Sequence, residues 1–265
     1  MLPNPWDVGS ALFLQSLGFK ALATSSAGFA WSQGRADGAL TREQVLAHLQ
    51  ELVRATELPV NADFENGFGH DAAGVAESVR LAVETGVAGL SIEDSSGNAS
   101  NPIFDIDTAV ERLRAARAAI DQTGGETLLI GRAENFITGR PDLPDTIARL
   151  KAYAEAGADC LYAPGIRTRE EISKVVAAVA PKPVNVLIGW QSELTLDALA
   201  ALGVRRVSVG GALARSAWGG LLRAARSLAE GRFDEFVTAA SGQELNALFR
   251  EPAAPSKPGV GVNGR

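Results

Sequence analysis

The chain has 265 residues, 46% hydrophobic and 21% charged, with a formal net charge of −6. This composition excludes a wholly disordered chain, and an acidic protein without a dense basic cluster is a poor nucleic-acid binder. No apolar run approaches the ~20 residues of a membrane-spanning helix. The first residues show no basic-then-apolar leader, and the single cysteine, Cys160, excludes an internal disulfide framework. The expected address is the cytoplasm, with neither membrane nor nucleic acid as a partner.

Eight short apolar runs are expected as strands: Leu2–Asp7, Lys20–Ser25, Pro59–Glu65, Gly89–Asp94, Thr127–Glu134, Asp159–Gly165, Pro183–Gly189 and Arg205–Gly210. Most do not alternate, as is usual for strands buried on both faces. The first is weak, because Pro3 and Pro5 remove ladder donors. Between the runs lie amphipathic segments at Arg42–Thr56, Ala72–Thr85, Thr108–Thr123, Leu143–Glu155, Thr168–Val179 and Glu193–Ala201. Thr41 before Gln44 and Thr168 before Glu171 have capping-box spacing. Gly86, Gly157 and Gly203 stand where a helix-ending glycine is expected.

Strand alternating with helix implies a parallel sheet. Eight such units in about 250 residues predict an α/β fold, a (β/α)8 TIM barrel. An open doubly wound sheet would carry a glycine-rich turn after its first strand, and none is present. Ala212–Ala229 is expected as the eighth helix and Phe233–Phe249 as an additional C-terminal helix. Residues 1–250 are read as one domain. Residues 251–265, with three prolines and three glycines, are read as a disordered tail. His48 is expected on the surface of its helix, and Cys160 as a small buried residue.

In a barrel the C-terminal strand ends surround the active site. Those ends carry Asp7, Ser25, Asp63 with Glu65, Glu93 with Asp94, and Arg132 with Glu134. Unpaired carboxylates at one mouth repel strongly in a low dielectric. A hard divalent cation relieves that repulsion, and oxygen-only ligands favour Mg2+ or Mn2+. Alternation places Asp63 and Glu65 on the same side of their strand end. Arg132 suits a clamp on a substrate carboxylate, or alternatively an ion pair with Glu93 or Glu134. Ser208–Leu213 is similar to the phosphate loop of other barrels, but no lysine suited to a Schiff base ends a strand.

In order and spacing these segments resemble the isocitrate lyase and phosphoenolpyruvate mutase superfamily. The resemblance is to the subgroup other than isocitrate lyase itself, the carboxyvinyl-carboxyphosphonate phosphorylmutase-like proteins. It rests on Asn4-Pro5-Trp6-Asp7, Thr24-Ser25-Ser26-Ala27, Gly34-Arg35-Ala36-Asp37, Asp63 through Gly69, Ile92-Glu93-Asp94 and Arg132-Ala133-Glu134. It implies an Mg2+-dependent enzyme that makes or breaks a C–C or C–P bond beside a 2-oxo acid, through an enolate. On that resemblance Asp63 is a direct metal ligand, while Asp37, Glu65 and Glu93 hold metal-bound waters. Ser25, Ser26, Ala27 and Arg132 then hold a 2-oxo or dicarboxylic acid, Trp6 walls the pocket, and C-terminal helices are exchanged in a homotetramer.

One departure narrows the chemistry. The loop Ser95–Pro102 has no cysteine, histidine or lysine, so isocitrate and methylisocitrate lyase activities are not expected. The resemblance leaves Asn98 or Asn101 for the gating-loop role and makes this loop a candidate lid. A C–P bond enzyme and a non-catalytic binder of 2-oxo acids stay open as alternatives.

Overall fold

Seven strands form one parallel sheet, each hydrogen-bonded to the next in chain order. They are β1 (Leu22–Ala23), β2 (Val60–Asp63), β3 (Gly89–Glu93), β4 (Leu128–Arg132), β5 (Cys160–Tyr162), β6 (Val184–Leu187) and β7 (Arg206–Ser208). The structure, a computed structural model, describes residues 1–124 and 126–250. Helices α1 (Val8–Ser16), α2 (Ser26–Ser32), α3 (Arg42–Ala55), α4 (Ala72–Glu84), α5 (Ile106–Gln122), α6 (Leu143–Glu155), α7 (Arg169–Val179), α8 (Leu196–Ala201) and α9 (Ala212–Ala229) alternate with them. The architecture is the (β/α)8 barrel that the alternation predicts.

The expected first strand is corrected. Leu2–Asp7 makes a single bridge, Leu2 to Ser208, because Pro3 and Pro5 have no N–H to extend a ladder. The segment nevertheless links the two edges of the sheet. Leu2 N–H donates to the Val207 carbonyl at 2.7 Å, and the Pro3 carbonyl accepts from Ala23 N–H at 3.1 Å. The side chain of Asn4 then replaces the missing backbone donors. Its Nδ2 donates to the Thr24 carbonyl, and its Oδ1 accepts from the N–H groups of Val209 and Gly210, each at 2.9 Å. Asp7, expected at a strand end facing the site, is exposed and caps α1 by accepting from Ser10 N–H at 2.7 Å.

The main core lies between the outer faces of the strands and the helices. In α4 the buried Val75, Val79 and Ala82 follow helical spacing, as do Ile172, Val175 and Val179 in α7. Both capping boxes form, and Gly86, Gly157 and Gly203 all have positive φ at helix ends. Gly131 of β4 admits α6 closely: a Cβ there would lie 2.9 Å from that of Tyr153. Inside the ring, Ile130, Cys160 and Tyr162 form a small apolar cluster with Leu187. Other inward positions, among them Asn61, Ser91, Asn185, Arg206 and Ser208, are polar and line a cavity.

The chain divides into two compact units, Met1–Leu222 and one beginning at Arg223. In the second, the continuous helix expected over Phe233–Phe249 is corrected to a 3-10 turn, Asp234–Thr238, and a short helix α10, Gly242–Leu248. Ala239 is extended, and Ser241 starts the new helix by accepting from Glu244 N–H. The tail expectation for residues 251–265 lies outside the described residues.

His48 is a second correction. It shares the inner face of α3 with Val45, Leu49 and Leu52, is 5% exposed, and stacks on Phe29 with ring centroids 3.7 Å apart. Burial pushes its pKa down to about 4, opposed only by Asp7. The folded state therefore binds fewer protons than the unfolded chain between pH 6.5 and 4, and stability is lost as pH falls through that window. At 1.36 kcal/mol per unit, the loss is about 3 kcal/mol. His48→Leu should flatten the acid limb of a stability-versus-pH curve by about that amount; chemical denaturation at several pH values checks it.

Candidate active site

Thr24, at the end of β1, and Asp63, at the end of β2, meet across the sheet: the Thr24 hydroxyl accepts from Asp63 N–H at 2.8 Å. Asp63 Oδ2 accepts from Ser26 N–H at 3.0 Å, and Asp63 Oδ1 accepts from Arg132 Nη1 at 3.1 Å. Arg132 also meets Glu93 at 3.1 Å and, through Nε, Glu134 at 2.5 Å. Its guanidinium lies 5.2 Å from the Tyr162 ring centroid. The ion pairs with Glu93 and Glu134 that the sequence offered as an alternative are thus formed, and Asp63 adds a third.

Two adjoining hollows share Ser26, Asp37 and Arg132 as lining. The inner one, about 160 Å3, reaches into the barrel and includes Ser25, Ala27 and Asp63. The outer basin, about 490 Å3, includes Glu65, Glu93, Glu134 and the loop residues Ser95 and Gly97. Five carboxylates therefore face one guanidinium at this mouth. Burial, reinforced by Asp63, raises the Asp37 carboxyl. Glu65 is pushed up to about 7 by burial and then by Asp63 and Asp37. Burial holds Glu93 well above the carboxylate range despite Arg132. Burial works against the Arg132 charge, but Glu134, Glu93 and Asp63 outweigh it and raise its pKa.

The loop after β2 is tightly held. Glu65 and Phe68 have φ of +47° and +54°, conformations that cost a side-chain-bearing residue on the order of 1 kcal/mol each. Arg112 of α5 offsets this by donating to the carbonyls of Asn66 and Gly69 at 2.8 and 2.9 Å. Behind β4, the buried Asp94 accepts from Glu134 N–H at 2.8 Å, Tyr153 Oη at 2.6 Å and Arg149 Nη1 at 3.0 Å. Asp94 is thereby a support for Glu134.

The remaining expected residues fall as follows. Ser25 is buried, lines the inner cavity and caps α2 by accepting from Gly28 N–H. Trp6 is outside the cavity lining; a Cβ on Gly28 would lie 2.9 Å from its own. Asn98 is exposed, and its Oδ1 accepts from Ser100 N–H at 2.9 Å. Thr24, from the Thr24–Ala27 segment, lines the cavity, as do Tyr162, Asn61 and Arg206, which the sequence reading did not single out. Asn61 and Arg206 stand two residues before Asp63 and Ser208 on inward faces, and that period-two placement was their available signal.

The donors suit a hard cation. All are oxygens, and the Asp37 and Glu65 carboxyls are raised by burial first and then by their carboxylate neighbours. Among the described residues no three His, Cys, Asp or Glu side chains converge on one point. The arrangement fits a hydrated ion with one direct carboxylate better than a closed protein cage.

The family model described as phosphoenolpyruvate phosphomutase matches residues 1–229. A crystal structure from Burkholderia cenocepacia J2315, called a "putative lyase/mutase", is 52% identical, has a TM-score of 0.91, and covers 96% of this chain and 91% of its own. An oxaloacetate decarboxylase from Bradyrhizobium sp. (strain ORS 278) is 31% identical over 78% of this chain and 72% of its own length. The structure of an oxaloacetate acetylhydrolase in complex with the product oxalate is 25% identical, with a TM-score of 0.82, covering 93% of this chain and 87% of its own.

The ion-pair cluster generates a pH-dependent expectation. Arg132→Met removes the counter-charge that opposes burial at Glu93 and Glu134, so their already raised folded-state pKa values climb further above the unfolded ones. A raised carboxyl destabilises at high pH, and stability returns as pH falls through the raised value. The variant should be less stable than wild type by on the order of 3 kcal/mol at pH 8, with the gap narrowing towards pH 5. Urea denaturation across that range checks this; a gap that does not change with pH refutes it.

Proposed function

The chain belongs to the phosphoenolpyruvate phosphomutase family and is an enzyme, and from that membership and its charged mouth we propose a Mg2+-dependent lyase that cleaves a C–C bond beside a 2-oxo acid. The observation that carries this reading is the set of five carboxylates facing the single guanidinium of Arg132 beside the cavity. Asp63 would hold Mg2+ or Mn2+ directly, with Asp37, Glu65 and Glu93 holding its waters. When bound, such an ion supplies Lewis-acid stabilisation of charge developing on the 2-oxo oxygen.

The chain's own residues do the rest. Arg132 would offer its remaining Nη2 donors to a substrate carboxylate, while Asp63, Glu93 and Glu134 hold Nη1 and Nε and fix its position. Ser25, Ser26 and Ala27 line the cavity where that carboxylate enters. Preorganised charge of this kind needs no rearrangement as the enolate develops. The loop Ser95–Pro102 is a lid in this reading. Its stem is pinned by the Ser95–Ile103 bridge and by Phe104 N–H donating to the Asp94 carbonyl at 2.8 Å, while Gly97–Ser100 at its tip are exposed. Asn98 would meet substrate only on closure. A C–P bond enzyme uses the same constellation, and the substrate decides between the two.

The enzyme acts in the cytoplasm in this proposal; among the described residues no helix is long and apolar enough to cross a membrane. It also assembles as a homotetramer through exchanged C-terminal helices. In support, Trp218, Leu221 and Leu222 of α9 are exposed, as are Phe233, Phe236, Val237, Leu245 and Phe249 beyond it. Apolar surface of this kind marks association, and exchange of an identical element closes an assembly at low cost.

Two experiments test these readings. A screen of oxaloacetate, other 2-oxo acids, 2-hydroxy-acid adducts and phosphonopyruvate with Mg2+ should reveal turnover that chelation abolishes and Mg2+ or Mn2+ restores. Asp63→Ala should lower that turnover by on the order of 100-fold and remove Mg2+ binding in calorimetry. Turnover indifferent to chelation, or unchanged Mg2+ affinity in Asp63→Ala, sinks the assignment. Separately, deleting residues 232–265 should reduce the assembly state in light scattering, and a wild-type monomer at micromolar concentration ends the tetramer reading.

A further inference from the structure

The inner cavity is lined by two arginines, and among the described residues only one of them has counter-ions. Arg132 meets three carboxylates at the mouth. Arg206, on β7, lines the same cavity yet makes no ion pair among the described residues. Its Nη1 donates to Asn61 Oδ1 at 3.2 Å, and its buried Nε–H has no acceptor among them. Burial lowers its pKa, and its neighbours Cys160 and Tyr162 are held neutral by burial of their own.

Asn185, beside Arg206 in register, also lines the cavity and is nearly as poorly satisfied. Its Nδ2 donates to Ser208 Oγ at 3.0 Å, while its buried Oδ1 has no donor. A half-turn of that amide would let Oδ1 accept from the Ser208 hydroxyl and free both amide N–H groups as donors.

Barrel interiors are ordinarily filled by Val, Ile and Leu. A guanidinium in that place without an anion is costly to hold in the interior. The cost is offset when an anion arrives with the ligand, because a partly desolvated guanidinium binds carboxylates strongly and bidentately.

We propose that Arg206, assisted by Asn185, is a second anchor in the catalytic cavity. It takes the distal carboxylate of a 2-oxo acid whose reacting end lies at Arg132 and Asp63. The cavity thereby selects doubly anionic 2-oxo acids over singly anionic ones of the same length. This inference rests on the function proposed above.

The test is equilibrium binding, in Mg2+, of two matched pairs that exchange the distal carboxylate for a methyl group. These are oxaloacetate against 2-oxobutyrate, read by tryptophan fluorescence at short times, and 2-oxoglutarate against 2-oxopentanoate, read by calorimetry. Wild type should prefer the dicarboxylate of at least one pair by about tenfold or more. Arg206→Met should erase that preference while moving the monocarboxylate affinity by less than about twofold. Without ligand this variant should melt higher than wild type, since an uncompensated charge has left the interior. If Arg206→Met does not fold, Arg206→Lys keeps the charge but loses the fork, and the preference should weaken at least about threefold.

A wild type that binds none of the four acids overturns the proposed function itself. A wild type that binds them without preference, or a preference that survives both substitutions, overturns the anchor alone. Stabilisation of wild type by chloride or phosphate that is lost in Arg206→Met, with the dicarboxylate preference intact, assigns the position to a resident inorganic anion and also overturns the anchor.

Discussion

Charge crowding at the barrel mouth is the constraint to which the surrounding structure answers. Asp37, Asp63, Glu65, Glu93 and Glu134 line one mouth, and Asp63, Glu93 and Glu134 pair with the Arg132 guanidinium there. Burial in a partly dry site, and after it the neighbouring carboxylates, raise the Asp37 and Glu65 carboxyls. A protein gains nothing in stability from such an arrangement. In the function proposed above, the arrangement is there to hold a cation and an anionic substrate, and perturbed carboxyls often mark such sites.

The second layer of the structure holds these charges in place. Asp94 gathers Tyr153, Arg149 and the Glu134 N–H, and Arg149 also donates to the Phe104 carbonyl at 2.8 Å. Arg112 clamps the loop after β2 and lies 4.6 Å from the Phe104 ring centroid. Two buried arginines from neighbouring helices thus meet at the foot of the same loop. The stem of Ser95–Pro102 is tied to the barrel by these contacts and its tip is exposed, an arrangement that suits the lid proposed above.

The barrel wall shows how local sequence is fitted to that purpose. Proline in the first segment sacrifices a strand, and the Asn4 side chain restores the hydrogen bonds between β7 and β1. Glycine at position 131 brings α6 against β4 and sets Tyr153 beside Asp94. The interior is a polar cavity instead of a filled aliphatic core, with Asn61, Asn185 and Arg206 where branched side chains usually pack. The volume surrendered there is space for a ligand.

The alternation of apolar runs with amphipathic helices, the capping boxes and the helix-ending glycines were written in the sequence. These features depend on neighbours within a turn or two of the chain, and so did the appearance of carboxylates and Arg132 at successive strand ends. The tertiary structure decided what needs distant partners. It turned Asp7 into a helix cap, buried His48 against Phe29, and gave Asp63 a share of Arg132 across two strands. It broke the C-terminal helix at Ala239. Among the described residues it also left Arg206 without a carboxylate, because a side chain's counter-ion is a property of the folded ring and not of its place in the sequence.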